Sequence, residues 1–188
     1  VLMPAFNERN TIEKAIDQVL SQDIVSQVIV VDDGSTDGTR EKLQQQEDRD
    51  PRVEIVFHDT NLGKGAAVRT AIARTTQPIC IIQDADLEYD PEDFPAVVAP
   101  IVDGSSNVVY GSRVLHPDNT YPLDLFRIGS FAVTQLANLL YRSELTDEPT
   151  GCKAFRTELL KDLPLRSTGF EFCPEVTAWV RKRGESIV

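Results

Sequence analysis

The run Ile79-Cys80-Ile81-Ile82, followed by Gln83-Asp84-Ala85-Asp86-Leu87-Glu88, constrains the fold of this chain more than any other stretch. An unbroken apolar run, with no polar alternate, predicts a strand covered on both faces, the pattern of a parallel sheet. In such sheets ligands gather outside the carboxyl ends of the strands, where Asp84 and Asp86 fall. Carboxylates one residue apart suit a hard divalent cation, and such cations share their coordination with phosphates. The same pair would also serve to cap a turn ahead of the helix that Asp90-Pro91 opens, so the pattern alone leaves both readings standing.

The construction recurs along the chain. Val1-Leu2-Met3 runs into Pro4-Ala5-Phe6-Asn7-Glu8, and Val28-Ile29-Val30-Val31 breaks into Asp32-Asp33-Gly34-Ser35-Thr36-Asp37-Gly38-Thr39. Val53-Glu54-Ile55-Val56-Phe57 leads to His58-Asp59-Thr60-Asn61-Leu62-Gly63-Lys64-Gly65. Helices are expected between these strands. Asn10-Thr11-Ile12-Glu13 has the form of a capping box and precedes the stripe Ile12, Ile16, Val19 and Leu20. A solvated helix carries Glu41 to Glu47, and a small-residue helix covers Ala66 to Ala73. Asn107–Tyr110 reads as a fifth strand, followed by a loop rich in Pro and Asp over residues 114–124. A long amphipathic helix then passes through Phe131, Leu136, Leu139 and Leu140. A loop from Thr146 runs into a short strand, and the last helix ends at Gly184. The alternation predicts a single domain over residues 1–188, a doubly wound α/β fold with a mostly parallel sheet flanked by helices. Acidic or glycine-rich loops at residues 4–8, 32–39, 61–65 and 84–88 would share one rim and form a nucleotide-sized crevice.

Charge narrows the ligand. A net charge of −11 excludes a general nucleic-acid binder, which needs a basic face. An acidic chain that handles a phosphorylated ligand must concentrate positive charge locally or use a metal. No Gly-x-x-x-x-Gly-Lys-Ser/Thr occurs, and Gly63-Lys64-Gly65-Ala66-Ala67-Val68 lacks the third glycine of a dinucleotide fingerprint. Plain turns would also account for Asp32-Asp33-Gly34 and for Gly63-Lys64-Gly65. His58 and His116 have no partners at metal spacing and read as ordinary loop residues. Cys80, Cys152 and Cys173 form no Cys-x-x-Cys pair and read as reduced thiols of a cytosolic protein, Cys80 in the core. No signal peptide or apolar run of membrane-spanning length is visible. The chain opens inside a strand and stops at the onset of another, Ser186-Ile187-Val188, so a catalytic domain trimmed at both ends is expected. Membrane attachment through a downstream segment, or peripherally, stays compatible with that expectation.

Pro4-Ala5-Phe6-Asn7-Glu8, Val31-Asp32-Asp33-Gly34-Ser35-Thr36-Asp37-Gly38-Thr39, Asn61-Leu62-Gly63-Lys64-Gly65 and Asp84-Ala85-Asp86, in this order and spacing, resemble the family 2 glycosyltransferases. These are inverting enzymes with the A-type glycosyltransferase fold, which binds nucleotide sugars. Gly111-Ser112-Arg113, the helix start around Arg127, Asp147-Glu148-Pro149-Thr150-Gly151-Cys152-Lys153-Ala154-Phe155-Arg156 and Gly169-Phe170-Glu171-Phe172 narrow the resemblance. They are similar to the polyprenyl-phosphate (dolichyl-phosphate) mannosyl- and glucosyltransferases. The processive motif Gln-x-x-Arg-Trp is absent, consistent with a single transfer. Phe6 stands where the family usually has Tyr, Cys152-Lys153 where Phe-Arg is commoner, and Glu88 where some relatives have Gln.

The resemblance implies metal-dependent, inverting transfer of a hexose from a UDP- or GDP-sugar to a polyprenyl or dolichyl phosphate. Pro4, Ala5, Phe6, Glu8 and Asp33 would hold the base and ribose, with Lys64 and Ala85 on the same nucleotide site. Asp84, Asp86 and Glu88 would anchor Mg²⁺ or Mn²⁺ on the diphosphate. Arg113 and Arg127 would grip the acceptor phosphate, with surface salt bridging as the alternative reading of these arginines. The protein would work in the cytoplasm, at the cytoplasmic face of a membrane. Two other readings use the same crevice. A family 2 enzyme acting on a hydroxyl of a polysaccharide, glycolipid or protein would need a general base, for which Glu171 is the candidate carboxylate. A non-catalytic nucleotide-sugar sensor would have less need of Asp84 and Asp86.

Overall fold

The computed structural model describes residues 1–46, 49–115 and 125–188. The central strands Leu2–Ala5, Val28–Asp32 and Ile79–Ile82 are buried on both sides, which is why their sequences lack polar alternation. The order is β1 (Leu2–Ala5), α1 (Ile12–Leu20), β2 (Val28–Asp32), α2 (Thr39–Gln46), β3 (Val53–Phe57), α3 (Lys64–Arg74) and β4 (Ile79–Ile82). A 3₁₀ turn (Pro91–Asp93) then leads into α4 (Phe94–Val102). β5 (Val108–Tyr110), α5 (Leu125–Tyr141), β6 (Lys153–Arg156), α6 (Thr157–Asp162) and α7 (Phe172–Lys182) complete the chain.

The sheet runs β3-β2-β1-β4-β6-β5. β1 pairs parallel with β2 and β4, and β2 pairs parallel with β3. β6 enters antiparallel between β4 and β5, with Cys80 opposite Phe155 and Val108 opposite Phe155 on the other side. Met3, Val28, Val30 and Ile81 pack with Ile12, Ile16 and Val19 of α1 and with Phe94 and Ile101 of α4. Leu2, Ile29, Val31, Cys80 and Ile82 face the opposite layer, against Val68 and Ala71 of α3, Leu160 of α6 and Val176 of α7. All three cysteines are free and buried. The parallel strands β1, β2 and β4 end on one rim, and their loops build the site.

The expected mostly parallel α/β architecture holds, with four differences in detail. The capping box does not form. Thr11, just ahead of α1, turns its hydroxyl to the Glu8 carboxylate, while Glu13 reaches across to Lys42 and Gln46 of α2. Ser186–Val188 adds no strand, although the Val188 carbonyl accepts from Tyr110 N at 2.8 Å and its N–H donates to Val108 at 3.2 Å. The apolar stripe of α5 does not face the core. Ile128, Phe131, Leu136, Leu139 and Leu140 are exposed, whereas Thr134 and Ala137 are buried on the inner face. His58 is more than a loop residue, as its contacts below show. His116, the loop over 116–124 and Glu47 lie outside the described residues.

Candidate active site

The loop after β1 turns through Asn7, whose φ of 58° is a left-handed conformation that asparagine tolerates. Its N–H donates to Ser35 Oγ and its Oδ1 accepts from Thr36 N, both at 2.9 Å, so the first strand-end loop is fastened to the second. Asp32, fully buried, receives Arg40 Nε at 2.9 Å and Ser35 N at 3.3 Å, which fixes that second loop from beneath. Asp33 beside it holds the third. Its carboxylate accepts from Leu62 N at 3.0 Å and Gly63 N at 2.8 Å, and His58 Nδ1 lies 2.8 Å away. His58 Nε2 in turn faces Thr70 Oγ1 at 3.0 Å, so the histidine ties β3 and α3 to this carboxylate.

These loops enclose a cavity of about 440 Å³. Pro4, Ala5, Phe6, Glu8, Asp33, Lys64, Asp84, Ala85 and Asp86 all line it, so the structure brings the whole expected nucleotide set together. Asn61 and Gly63, from the loop expected on this rim, line it as well, and so do Ala67 of α3, Gly169 and Phe170, which nothing in their own stretches of sequence places there. Asp33 reaches the cavity, but its oxygens are largely engaged with the 61–63 loop, so it shapes the wall as much as it offers an acceptor.

Lys64 Nζ lies 2.6 Å from Asp84 Oδ2. Burial works against the Lys64 charge, but Asp84 beside it, with Cys173 and Asp86, holds its pKa above the ordinary value. Asp86 opens onto the cavity. Burial raises its carboxyl from the ordinary value to about 6, and Asp84, Glu88 and Glu8 add repulsion that its hydrogen bond from Glu88 N only partly offsets. Between Asp86 and Glu88 the chain passes through Leu87 at φ 65°, a strained conformation for a leucine, whose side chain packs against the core. Glu88, expected as a third metal ligand, instead meets Arg113 Nη1 at 3.1 Å. Among the described residues no three metal-ligating side chains come together. The donor set still fits a hard divalent cation. Asp84 and Asp86 are oxygen donors whose crowding a dication would relieve, and phosphate oxygens and water would complete its shell.

Arg113 is clamped by Asp147, Nε to Oδ2 at 2.8 Å and Nη2 to Oδ1 at 3.0 Å, with its ring neighbour Tyr89 5.8 Å below the guanidinium. The Asp147–Cys152 loop reaches this position by passing under Asp84. A Cβ at Gly151 would come 2.2 Å from Asp84 Oδ2, so only glycine fits. Tyr89 OH accepts Gly151 N at 2.7 Å, and buried Lys153 donates to the carbonyls of Glu148 and Thr150 at 2.8 and 2.6 Å. Arg113 and Arg127 meet at a second cavity of about 400 Å³, with Ser130, Phe131, Thr134 and Leu145. Glu171 is not poised as a base. Its carboxylate accepts Gly169 N at 2.9 Å and Thr168 N at 3.1 Å, and these bonds hold it below the usual carboxylate range.

The profile described as glycosyl transferase family 2 matches residues 1–164. A UDP-N-acetylglucosamine–dolichyl-phosphate N-acetylglucosaminyltransferase of Methanococcus voltae is 27% identical, over 97% of this chain and 79% of that protein. A dolichyl-phosphate hexose transferase of Haloferax volcanii is 33% identical, over 87% of this chain and 68% of that protein. Glucosyl-3-phosphoglycerate synthase from Mycobacterium tuberculosis, solved in complex with Mn²⁺, UDP-glucose and phosphoglyceric acid, superimposes with a TM-score of 0.75. It is 27% identical, and the match covers 96% of this chain and 64% of that one.

Proposed function

This chain belongs to glycosyl transferase family 2, and on that premise we propose that it moves a hexose, with inversion, from a UDP- or GDP-sugar to a polyprenyl or dolichyl phosphate. Asp84 and Asp86 would hold the Mg²⁺ or Mn²⁺ cofactor, which when bound supplies a Lewis acid for the departing diphosphate. Lys64 adds a second positive charge beside the same phosphates. Phe6, 45% exposed, offers a stacking face at the cavity mouth, and Pro4, Ala5, Glu8 and Asp33 form the wall on which base and ribose would rest.

The observation that carries the acceptor reading is the second cavity, where Arg113 and Arg127 converge while Glu171 is spent on its own loop. A phosphate acceptor is already an anion. One of its oxygens attacks the anomeric carbon, the bond from that carbon to the diphosphate oxygen breaks, and no proton has to be removed. Arg113, kept in orientation by the bidentate Asp147 clamp, and Arg127 would place the acceptor and offset repulsion from the donor phosphates. The resemblance of the named relatives, which act on dolichyl phosphate, supports the same acceptor.

The outer face of α5 supports a lipid-borne acceptor. Ile128, Phe131, Leu136, Leu139 and Leu140 lie exposed on the helix that also carries Arg127. From Leu125 to Ser143 the chain has no acidic residue, and its charges are Arg127 and Arg142. In a chain of net charge −11, that stretch is suited to an anionic lipid surface at the cytoplasmic face of a membrane. Among the described residues no helix is long and apolar enough to cross a membrane.

The test is a transfer assay over a panel of UDP- and GDP-sugars, with and without polyprenyl phosphate and with and without chelator. One donor should give a glycosyl-phospholipid that requires both the lipid phosphate and the divalent metal. Donor turnover with no lipid product under any acceptor condition would contradict the acceptor assignment.

A further inference from the structure

Phe170 is the most exposed large apolar side chain among the described residues, at 80%, yet the loop beneath it is fastened on every side. Thr168 O accepts Ala66 N at 3.0 Å, joining the loop to the start of α3. Glu171 takes the N–H groups of Thr168 and Gly169, and Glu175 takes those of Arg166 and Ser167 at 2.9 and 2.8 Å. The approach to α3 is so close that a Cβ at Gly63 would stand 2.4 Å from Thr168 O, and one at Gly65 2.7 Å from Ser167 O. A loose loop could fold an apolar ring away from water. This one holds the ring open on the wall of the donor cavity.

The ring's neighbours locate its occupant. Lys64 Nζ lies 5.8 Å from the ring centroid and 2.6 Å from Asp84, so the ring borders the place of the diphosphate. The loop then enters α7, which packs against α5 and whose Thr177 bonds Glu148 at 2.7 Å, next to the Asp147 that clamps Arg113. Phe170 therefore borders the Lys64–Asp84 end of the donor cavity, on the loop that leads into α7 and toward the second cavity. A sugar in transfer has to lie between those two sites.

We infer that Phe170 is the platform on which the donor's hexose ring lays its apolar C–H face, a specificity-determining residue for the reaction proposed above, on which this inference rests. The face of an aromatic ring is electron-rich and attracts the weakly positive C–H edge of a pyranose, while the hydroxyls stay free for polar partners. Lys64 over the same ring strengthens the arrangement by keeping its own charge near the diphosphate.

Calorimetry with UDP, GDP, UDP-glucose and GDP-mannose in the presence of Mn²⁺ tests it on the unmutated protein, Phe170→Ala and Phe170→Tyr. Because the ring packs on little, both variants should melt with the parent. Phe170→Ala should weaken the nucleotide sugar that the parent binds by roughly 5- to 20-fold and the bare diphosphate by less than about 2-fold. Phe170→Tyr should restore the sugar-dependent part. Equal losses on sugar and bare diphosphate would move the ring to the ribose or base and overturn the assignment, as would no loss on either. If the parent binds none of the four probes, the donor reading itself falls and takes the platform with it, an outcome distinct from a parent that binds and a variant that does not change.

Discussion

Lys64 and Asp84, twenty residues apart on α3 and after β4, close a 2.6 Å ion pair across the floor of the donor cavity. Without nucleotide, the lysine therefore occupies the carboxylate that would otherwise face a cation. Lys64→Met, which keeps the length and removes the charge, should act in opposite directions on two ligands. Affinity for Mn²⁺ alone should rise, while affinity for the nucleoside diphosphate should fall by about tenfold or more, the worth of one charged hydrogen bond. Paired calorimetric titrations check this. A fall in both affinities would mean that Lys64 organises Asp84 rather than competing for it.

Asp86 gives a prediction in pH. Its folded-state pKa of about 6 lies above the ordinary 3.8, so keeping it ionised costs stability above about pH 6, and that cost disappears below about pH 4. Asp86→Asn should raise the melting temperature at pH 7.5, lose that advantage as the pH falls through the same window, and abolish transfer throughout. Transfer by the unmutated protein should also decline as the pH drops through 6, less steeply with excess Mn²⁺. Thermal melts of both proteins across pH 4 to 8 read the sign directly. A less stable Asp86→Asn at pH 7.5 would contradict it.

Asp33 serves the fold as well as the ligand. Its buried carboxylate accepts from Leu62 N and Gly63 N and faces His58. Asp33→Ala would leave those donors without their partner in a closed space, at a cost of about 2–4 kcal/mol. Denaturant unfolding should show that loss, and nucleotide affinity should fall even without metal because the 61–63 wall is no longer fixed. An unaltered unfolding midpoint would show that the loop holds itself.

The donor half of this site was legible because its parts are local. A strand ends, the chain turns, and polar side chains face the rim. Pro4 to Phe6 and Glu8 at the end of β1, Asp33 after β2, Lys64 at the start of α3 and Asp84 to Asp86 after β4 all line one cavity. What stayed hidden depends on contacts between distant segments. Antiparallel entry of β6 between β4 and β5 is a choice of partner, and no periodicity within Lys153–Arg156 encodes it. The bond from Ala66 to Thr168 joins residues with no local reason to meet, so Phe170 could not be placed in the cavity from its own stretch. Glu88 looked like a metal ligand by spacing alone, until Arg113 arrived from β5 to claim it. On α5 the apolar period encodes a helix, but periodicity says which residues share a face and not what covers that face.

The most direct measurement of the central claim compares two acceptors that differ only in the terminal phosphate. Label from the nucleotide sugar that the protein uses is followed into a short polyprenyl phosphate and into the matching polyprenol, with Mn²⁺ present. A site with two arginines and, among the described residues, no poised base should glycosylate the phosphate and leave the alcohol untouched, and Arg113→Ala should lower the phosphate rate by roughly 10²–10³. Transfer to the alcohol at a comparable rate, with Arg113→Ala near normal, would contradict the account.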